Sequence, residues 1–583
     1  MNVKTTVVKS ETVEGSNATT GAHVFAAALK RHGVEVIFGQ AIPAALFLAT
    51  PHYGIRQIGY RTENAGSVMA DAYARMSHKV PVVTAQNGPA ATLLVAGLAE
   101  AMKASVPVVA IVQDVARPFA EKNAFQELDH LELFKGVAKW IKRVADVDRI
   151  DDYVDMAFTA AASGRPGPAV LIAPIDMFME TASPAKMARN ASLGHFPLDR
   201  CGPDPRKVAE AASLLSKAER PLIIAGGGVH ISDAAPELAA LQEAASIPVA
   251  TTVMGKGAVD EAHPLSVGVV GYFMADRSRS KHVRSLVAEA DVILLIGNRT
   301  NQNGTDSWQL YPKEATYIHL DVDSSEVGRN YEAVRLVGDA KLGLAALTQA
   351  LAASDLSKRK AARPALQQKI AAALDQGRKD GEAVSRSNQS PLRPERLMSD
   401  LDSIMTPETI VVSDASYSSI WVANFLTSRR AGQRFITPRG LAGLGWGLPF
   451  ALGAKVASPE APVFALVGDG GFAHVWSELE TARRMNLPVV VAVLNNSILG
   501  YEKHAEKVIF GEYSDACDFT PVDHAAIARA AGCDGVRIEK ADDFLPALKS
   551  AFASGKTTVL DVVTDELAYP PITMFNDNPA LSY

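Results

Sequence analysis

Short apolar runs recur along this chain, each ending at glycine, proline or a polar cluster and each followed by a stretch of helical length. In the first block, residues 22–182, the runs fall at 34–38, 80–84, 108–112 and 169–172. They are continuous rather than alternating, as in strands buried on both faces. Strand-sized runs interleaved with helical patterns predict a parallel sheet with crossover helices. The second block, 203–352, repeats the style. Residues 221–225 run into Gly226-Gly227-Gly228, 292–296 into Gly297-Asn298-Arg299, and 317–320 into Asp321. A charged helical stretch, 357–386, leads to a third block that begins at Pro394. The expected fold class is α/β, with three doubly wound parallel-sheet domains at 20–185, 190–355 and 394–564. A linker spans 356–393. Residues 565–583 form an irregular tail or lid, apolar enough at Tyr569, Met574 and Phe575 to pack.

The third block carries the densest chemistry. The run 463–467 stops at Gly468-Asp469-Gly470, and the run 489–494 stops at Asn495-Asn496. Both polar clusters are thereby placed at the carboxyl ends of neighbouring strands, the edge where doubly wound sheets bind ligands. A carboxylate, an amide oxygen and a free backbone carbonyl suit a hard divalent cation that keeps phosphate oxygens as its other ligands. The glycines allow a diphosphate to approach the backbone.

Composition narrows the partners. The chain has 583 residues, too many for a single core, and a formal charge of -6 gives no basic field for nucleic acid. No run of about eighteen apolar residues occurs, so no membrane partner is expected. The polar first twenty residues lack the apolar core of a signal peptide. Three scattered cysteines, Cys201, Cys517 and Cys533, show neither metal spacing nor a disulfide framework, and a cytoplasmic location is expected.

The spacing from Gly468 to Asn496 resembles the diphosphate-binding signature of thiamine-diphosphate enzymes. A second string, Glu63-Asn64-Ala65-Gly66 leading to Ala72-Tyr73-Ala74-Arg75, resembles that family's activating glutamate and the helix behind it. Read alone, Glu63 is a residue that compensates a helix N-terminus. The resemblance implies that it hydrogen-bonds the aminopyrimidine ring of thiamine diphosphate and promotes formation of the reactive nucleophile. It covers about residues 20–564 and is nearest to the acetolactate synthase (acetohydroxyacid synthase) branch. The blocks then correspond to pyrimidine-binding, central and diphosphate-binding domains.

By the same resemblance, Gly88 and Pro89 form a cofactor-side loop, and Gln126 beside Phe125 faces the cofactor. Leu444 is the wedge that bends the cofactor, with the backbone of Ala442 against its ring. Asp469, Asn496 and the carbonyl of Ile498 ligate Mg2+. Ser416, Tyr417 and Ser418, with Gly468, Gly470, Gly471, Leu499 and Gly500, meet the diphosphate. Phe125, His474, Tyr501 and His504 are candidate substrate contacts. The catalytic candidates are Glu63 and Gln126. Active sites between chains are implied, in a homodimer or homotetramer. In related enzymes the central domain holds a flavin, an adenine nucleotide or nothing, so FAD or ADP is a candidate ligand there.

Departures from the synthase pattern bear on the substrate. Asp414-Ala415-Ser416-Tyr417 replaces the usual Gln-His, Asn303 stands where an acceptor-binding arginine is usual, and Ala505 replaces a pocket tryptophan. Losing a guanidinium removes a bidentate grip on a carboxylate. The expected activity is decarboxylation of a 2-oxo acid such as pyruvate with transfer of the acyl carbanion to a carbonyl acceptor. The alternatives are a 2-hydroxyacyl-CoA lyase or oxalyl-CoA decarboxylase acting on an acyl-CoA, a sulfoacetaldehyde acetyltransferase, or a non-catalytic regulatory homologue.

Overall fold

The computed structural model describes residues 19–183 and 192–575. Each of the three blocks folds around one six-stranded sheet, and every pairing within these sheets is parallel. The first sheet runs Arg56–Ile58, Val36–Phe38, Val82–Ala85, Val109–Asp114, Ala169–Pro174, Trp140–Arg143. The second runs Ser266–Val269, Val249–Thr251, Pro221–Ala225, Val292–Ile296, Thr316–Asp321, Ala333–Val337. The third runs Phe435–Ile436, Ile410–Ser413, Val463–Gly468, Val490–Asn495, Thr558–Val563, Asp534–Ile538. Numbered in chain order, the first and third sheets share the order 2-1-3-4-6-5, while the second has the dinucleotide-binding order 3-2-1-4-5-6.

These orders locate the crevices. In the third sheet the direction of winding reverses between Ile410–Ser413 and Val463–Gly468, so the residues that follow both strands open into one cleft. In the central sheet it reverses between Pro221–Ala225 and Val292–Ile296, placing Gly226 beside Gly297.

The first and third domains meet through two helices, Glu63–Ser77 and Gly447–Ala457. Small residues make this close crossing possible: a Cβ on Gly453 would lie 2.1 Å from the Met69 carbonyl oxygen. Arg75, buried at the same seam, donates to Asp71 and to the Thr437 carbonyl, and pairs with Glu100. The linker stretch forms the helix Ser357–Asp380, which lies against the central domain where Gly377 passes the Arg279 backbone. The described part of the tail packs rather than projecting: Ala568, Tyr569, Ile572 and Phe575 are buried. Residues 576–583 of the expected tail lie outside the described residues. Among the described residues no helix is long and apolar enough to cross a membrane.

Candidate active site

A cavity of about 320 Å³ opens at the switch point of the third sheet. Its wall gathers most of the third-block residues singled out by sequence: Ser416, Tyr417, Ser418, Ala442, Leu444, Gly468, Asp469, Gly470, Gly471, Asn496, Ile498, Leu499, Gly500 and Tyr501. Asp414, Arg439 and Glu502 of the same domain, Tyr272 and Asn303 of the central domain, and Asp565 and Ala568 of the tail also line it.

Asp469 starts a short helix directly after its strand. One carboxylate oxygen accepts the Gly470 amide at 2.8 Å, and the other accepts the amides of Asn496 and Ser497 at 3.1 and 2.6 Å. The carboxylate thus ties two neighbouring strand ends together. Burial pushes its pKa up to about 6, against the lowering effect of the amides it accepts from. Of the two asparagines, Asn495 points away, donating to the Val522 carbonyl and Asp561, while Asn496 lines the cavity. No cluster of three or more His, Cys, Asp or Glu side chains occurs among the described residues. That agrees with a donor set of one carboxylate, one amide oxygen and one carbonyl, which fits Mg2+ with phosphate completing its shell.

The neighbouring strand end is shaped by Asp414, a residue whose role the sequence did not reveal. It is buried, its pKa is pushed by burial up to about 6, and its carboxylate accepts the amides of Ala415, Gly445 and Trp446. The loop bearing Ala442 and Leu444 is thereby fastened to the end of the first strand. Ala442 adopts a left-handed backbone, φ 63°, and Ser416 one of φ 59° at the start of helix Tyr417–Phe425. Non-glycine residues held there carry strain that the surrounding contacts must support. The start of that helix faces the cavity, so its free amides are available to an anion. Asp469, an anion-ready helix start and the glycines after Val463–Gly468 fit a metal-bound diphosphate.

His504 stands behind the wall. Its Nδ1 accepts from the Tyr417 hydroxyl at 2.7 Å, its Nε2 donates to the Glu566 carbonyl at 2.8 Å, and its ring stacks on Tyr569 at 3.7 Å. It therefore fastens the tail to Tyr417 rather than reaching substrate. Burial lowers its pKa from 6.5 to about 4. An unfolded chain takes up this proton as pH falls through 6.5, but the folded ring resists until about 4. The stability that this neutral ring supplies is complete above 6.5 and is lost on acidification, by about 2 kcal/mol between pH 7 and 5. Between those pH values the thermal midpoint of His504→Leu is expected to fall less than that of the wild type. Equal falls would show that another group senses the acid.

The first-domain residues lie elsewhere in the chain. Glu63 is buried at the start of helix Glu63–Ser77, and burial raises its pKa. Its turn is held across the domain seam by Glu478, whose carboxylate accepts the amides of Arg61 and Thr62 at 3.0 to 3.2 Å. Gly88 and Pro89 begin a separate helix, and Gly88 must be glycine, since a Cβ would lie 2.7 Å from the Gln126 carbonyl oxygen. The Gly88 amide donates to His130, which sits against Asp114. Gln86 donates to Gln126, and Asn87 to the carbonyls of Phe125 and Gln126. Phe125 itself is 82% exposed. His474 is exposed and packs against Gly445. None of Glu63, Gly88, Pro89, Phe125, Gln126 or His474 lines the cavity of its own chain. Ala505 is buried and does not line it either.

A second cavity, about 150 Å³, lies at the switch point of the central sheet, among Gly226, Gly227, Gly228, Gly297, Arg299 and Asp321. The glycines there have a packing reason: a Cβ on Gly226 would meet the Gly297 carbonyl oxygen at 2.2 Å, and one on Gly228 would meet the Gly297 Cα at 2.5 Å.

Comparison with known proteins agrees with this architecture. Three family models match: "Thiamine pyrophosphate enzyme, N-terminal TPP binding domain" over residues 19–133, "Thiamine pyrophosphate enzyme, central domain" over 208–347, and "Thiamine pyrophosphate enzyme, C-terminal TPP binding domain" over 414–562. A probable acetolactate synthase large subunit of Methanocaldococcus jannaschii is 32% identical over 565 residues, covering 94% of this chain and 92% of that protein. The acetolactate synthase isozyme 2 large subunit of Escherichia coli is 30% identical over 555 residues, covering 94% and 96%. The chloroplastic acetolactate synthase 3 of Brassica napus is 30% identical over 567 residues, covering 93% and 83%.

Proposed function

The chain belongs to the thiamine pyrophosphate enzyme family, as an acetolactate-synthase-like member, and from that membership we propose that it decarboxylates a 2-oxo acid such as pyruvate and joins the remaining acyl unit to a second carbonyl compound. With pyruvate in both roles, two molecules give one acetolactate and one carbon dioxide. The observation that carries this reading is the convergence of Asp469, Asn496 and Ile498 with the start of helix Tyr417–Phe425 around one cavity.

Thiamine diphosphate supplies the carbon nucleophile and the electron sink for loss of carbon dioxide. The protein's part is placement and electrostatics. Asp469, Asn496 and the Ile498 carbonyl would hold Mg2+. Ser416, Tyr417, Ser418 and the glycines from Gly468 to Gly471, with Leu499 and Gly500, receive the diphosphate. Leu444 and the Ala442 backbone would lie against the cofactor's rings, and Tyr501 would stand on the substrate side. Each chain's Glu63, with Gln126 and the Gly88-Pro89 turn, serves the cavity of its partner, so the active unit is a homodimer or a dimer of dimers. The exposed Phe125 ring beside Gln126 supports a second chain covering that loop. An adenine nucleotide, FAD or ADP, is assigned to the central cavity, where Arg299 and Asp321 offer a phosphate partner and a hydroxyl acceptor.

The test is product analysis after incubation with pyruvate, thiamine diphosphate and Mg2+. Acetolactate and carbon dioxide in equal amounts are expected. A protein that binds the cofactor yet leaves pyruvate and other 2-oxo acids unconsumed would end this reading of the substrate.

A further inference from the structure

We infer that Arg439 is an anion-binding residue of the active cavity and holds the carboxylate of a small acidic acceptor substrate. This rests on the carboligase reading above and names the kind of substrate that the cavity is built to take.

Arg439 lies on the wall shared by the active cavity and the central cavity, next to Asn303. Its guanidinium donates to the Ser419 hydroxyl and, at 3.3 Å, to the Tyr272 hydroxyl, and it sits 5.6 Å from the centre of the Phe273 ring. Its Nε is buried without a hydrogen-bond partner. Every partner is neutral, and among the described residues no carboxylate pairs with it. A half-buried cation that meets only hydroxyls and an aromatic face is incompletely compensated, and an anion entering the cavity supplies what is missing.

The guanidinium is also held in place. Glu100 of the first domain accepts the amides of Gly440 and Leu441 at 2.8 and 2.6 Å, and Arg75 donates to the Thr437 carbonyl at 3.2 Å. The backbone on both sides of Arg439 is therefore fixed across a domain seam, while Tyr272 and Ser419 orient the planar head. Such pre-organisation limits the entropy lost when a carboxylate docks. Tyr272, Tyr501 and Arg439 together give the cavity a polar face. That face belongs to the junction of the central and third domains, whereas Asp469 and Asn496 sit at strand ends of the third sheet. The cavity thus offers a cation-centred site of carboxylate and amide oxygens at Asp469 and Asn496, and a guanidinium at Arg439, the one cationic side chain among its lining residues, which also include Glu502 and Asp565. A metal-bound diphosphate takes the first, and the second is left for the substrate. Asn303 brings an amide but no charge to the same wall, so Arg439 is its source of positive charge for a substrate.

The test uses the full chain loaded with thiamine diphosphate and Mg2+, and compares wild type, Arg439→Gln and Arg439→Lys. Oxamate, an unreactive analogue of a 2-oxo acid, is titrated calorimetrically; 2-oxobutyrate and propionaldehyde are compared as acceptors. Arg439→Gln is expected to weaken oxamate binding and raise the KM for 2-oxobutyrate on the order of 30-fold, while the neutral aldehyde changes by less than about twofold. Arg439→Lys should recover part of the anion affinity. Unchanged oxamate binding in Arg439→Gln would overturn the assignment. So would equal losses for acid and aldehyde, which mark a structural role, or a loss confined to ADP binding, which would give Arg439 to the central cavity. Because oxamate binding needs no turnover, a wild type that binds it without consuming 2-oxo acids would sink the proposed reaction and leave the carboxylate site standing.

Discussion

Asp469→Ala is expected to lose Mg2+ and thiamine diphosphate together and to reduce turnover on the order of a thousandfold. The carboxylate is the anionic member of the proposed donor set, and the carbonyl and amide that accompany it cannot balance a divalent charge. Removing one partner of a buried charge pair costs about 3–5 kcal/mol, and each 1.4 kcal/mol is a factor of ten. The substitution also strips an acceptor from the amides of Asn496 and Ser497. Part of the loss is therefore a loosened strand end, at about 1–3 kcal/mol for a buried unpaired donor. Asp469→Asn separates the two effects, since its amide oxygen can still accept from that turn while the charge is gone. The check is a thermal-shift titration: ligands that bind only the folded state raise its midpoint with concentration. Wild type should shift with cofactor and Mg2+, and neither variant should. A variant that shifts like the wild type would move the metal site away from Asp469.

The two strand ends that frame the cavity at Asp469 and Asn496 were legible from sequence because both elements are local. A buried strand ending at Gly468-Asp469 and another ending at Asn495-Asn496 announce themselves by apolar runs and abrupt polarity. Even there, composition did not separate Asn495, which braces Asp561, from Asn496, which lines the cavity. The central strands of each sheet were equally plain: the runs 221–225 and 292–296 are strands over those same residues. Edge strands were not. Arg56–Ile58, Trp140–Arg143 and Asp534–Ile538 carry charges because one side of each meets water, so no apolar run marks them.

What sequence could not supply were contacts between distant segments. Asp414 fastens a loop thirty-one residues away, Glu100 fastens one 340 residues away, and Glu478 one 417 residues away. Each is an ordinary acidic residue until the fold places backbone amides against it. Arg439 is illegible for the same reason, since its lack of a counter-ion is a property of its surroundings. His504 shows the converse. Its position after the asparagines suggested a substrate contact, but the tail supplies Glu566 and Tyr569, and the ring becomes a structural tie.

Glu63→Gln is the second large effect expected, a fall in turnover of about 10²- to 10⁴-fold with fold and cofactor affinity nearly intact. Affinity should survive because the substitution leaves the site's framework in place. Thr62 caps the Glu63–Ser77 helix through the Ala65 amide, and Glu478 holds the amides of Arg61 and Thr62, so glutamine enters the same position with the same reach. What is lost is a proton-holding group. Burial raises the Glu63 pKa, which favours a side chain that holds a proton and can exchange it, and an amide cannot do so. The cost should therefore appear in kcat, with the midpoint shift produced by cofactor and Mg2+ close to that of the wild type. Steady-state kinetics beside the same thermal titration decide the matter. Near-normal kcat would remove Glu63 from the chemistry, whereas loss of cofactor binding would make it part of the framework. Because Glu478 reaches Glu63's turn from the domain that holds Asp469, one chain's metal end is braced against the residue proposed to serve its partner's cavity. A defect in either is then expected to reach both sites of a dimer.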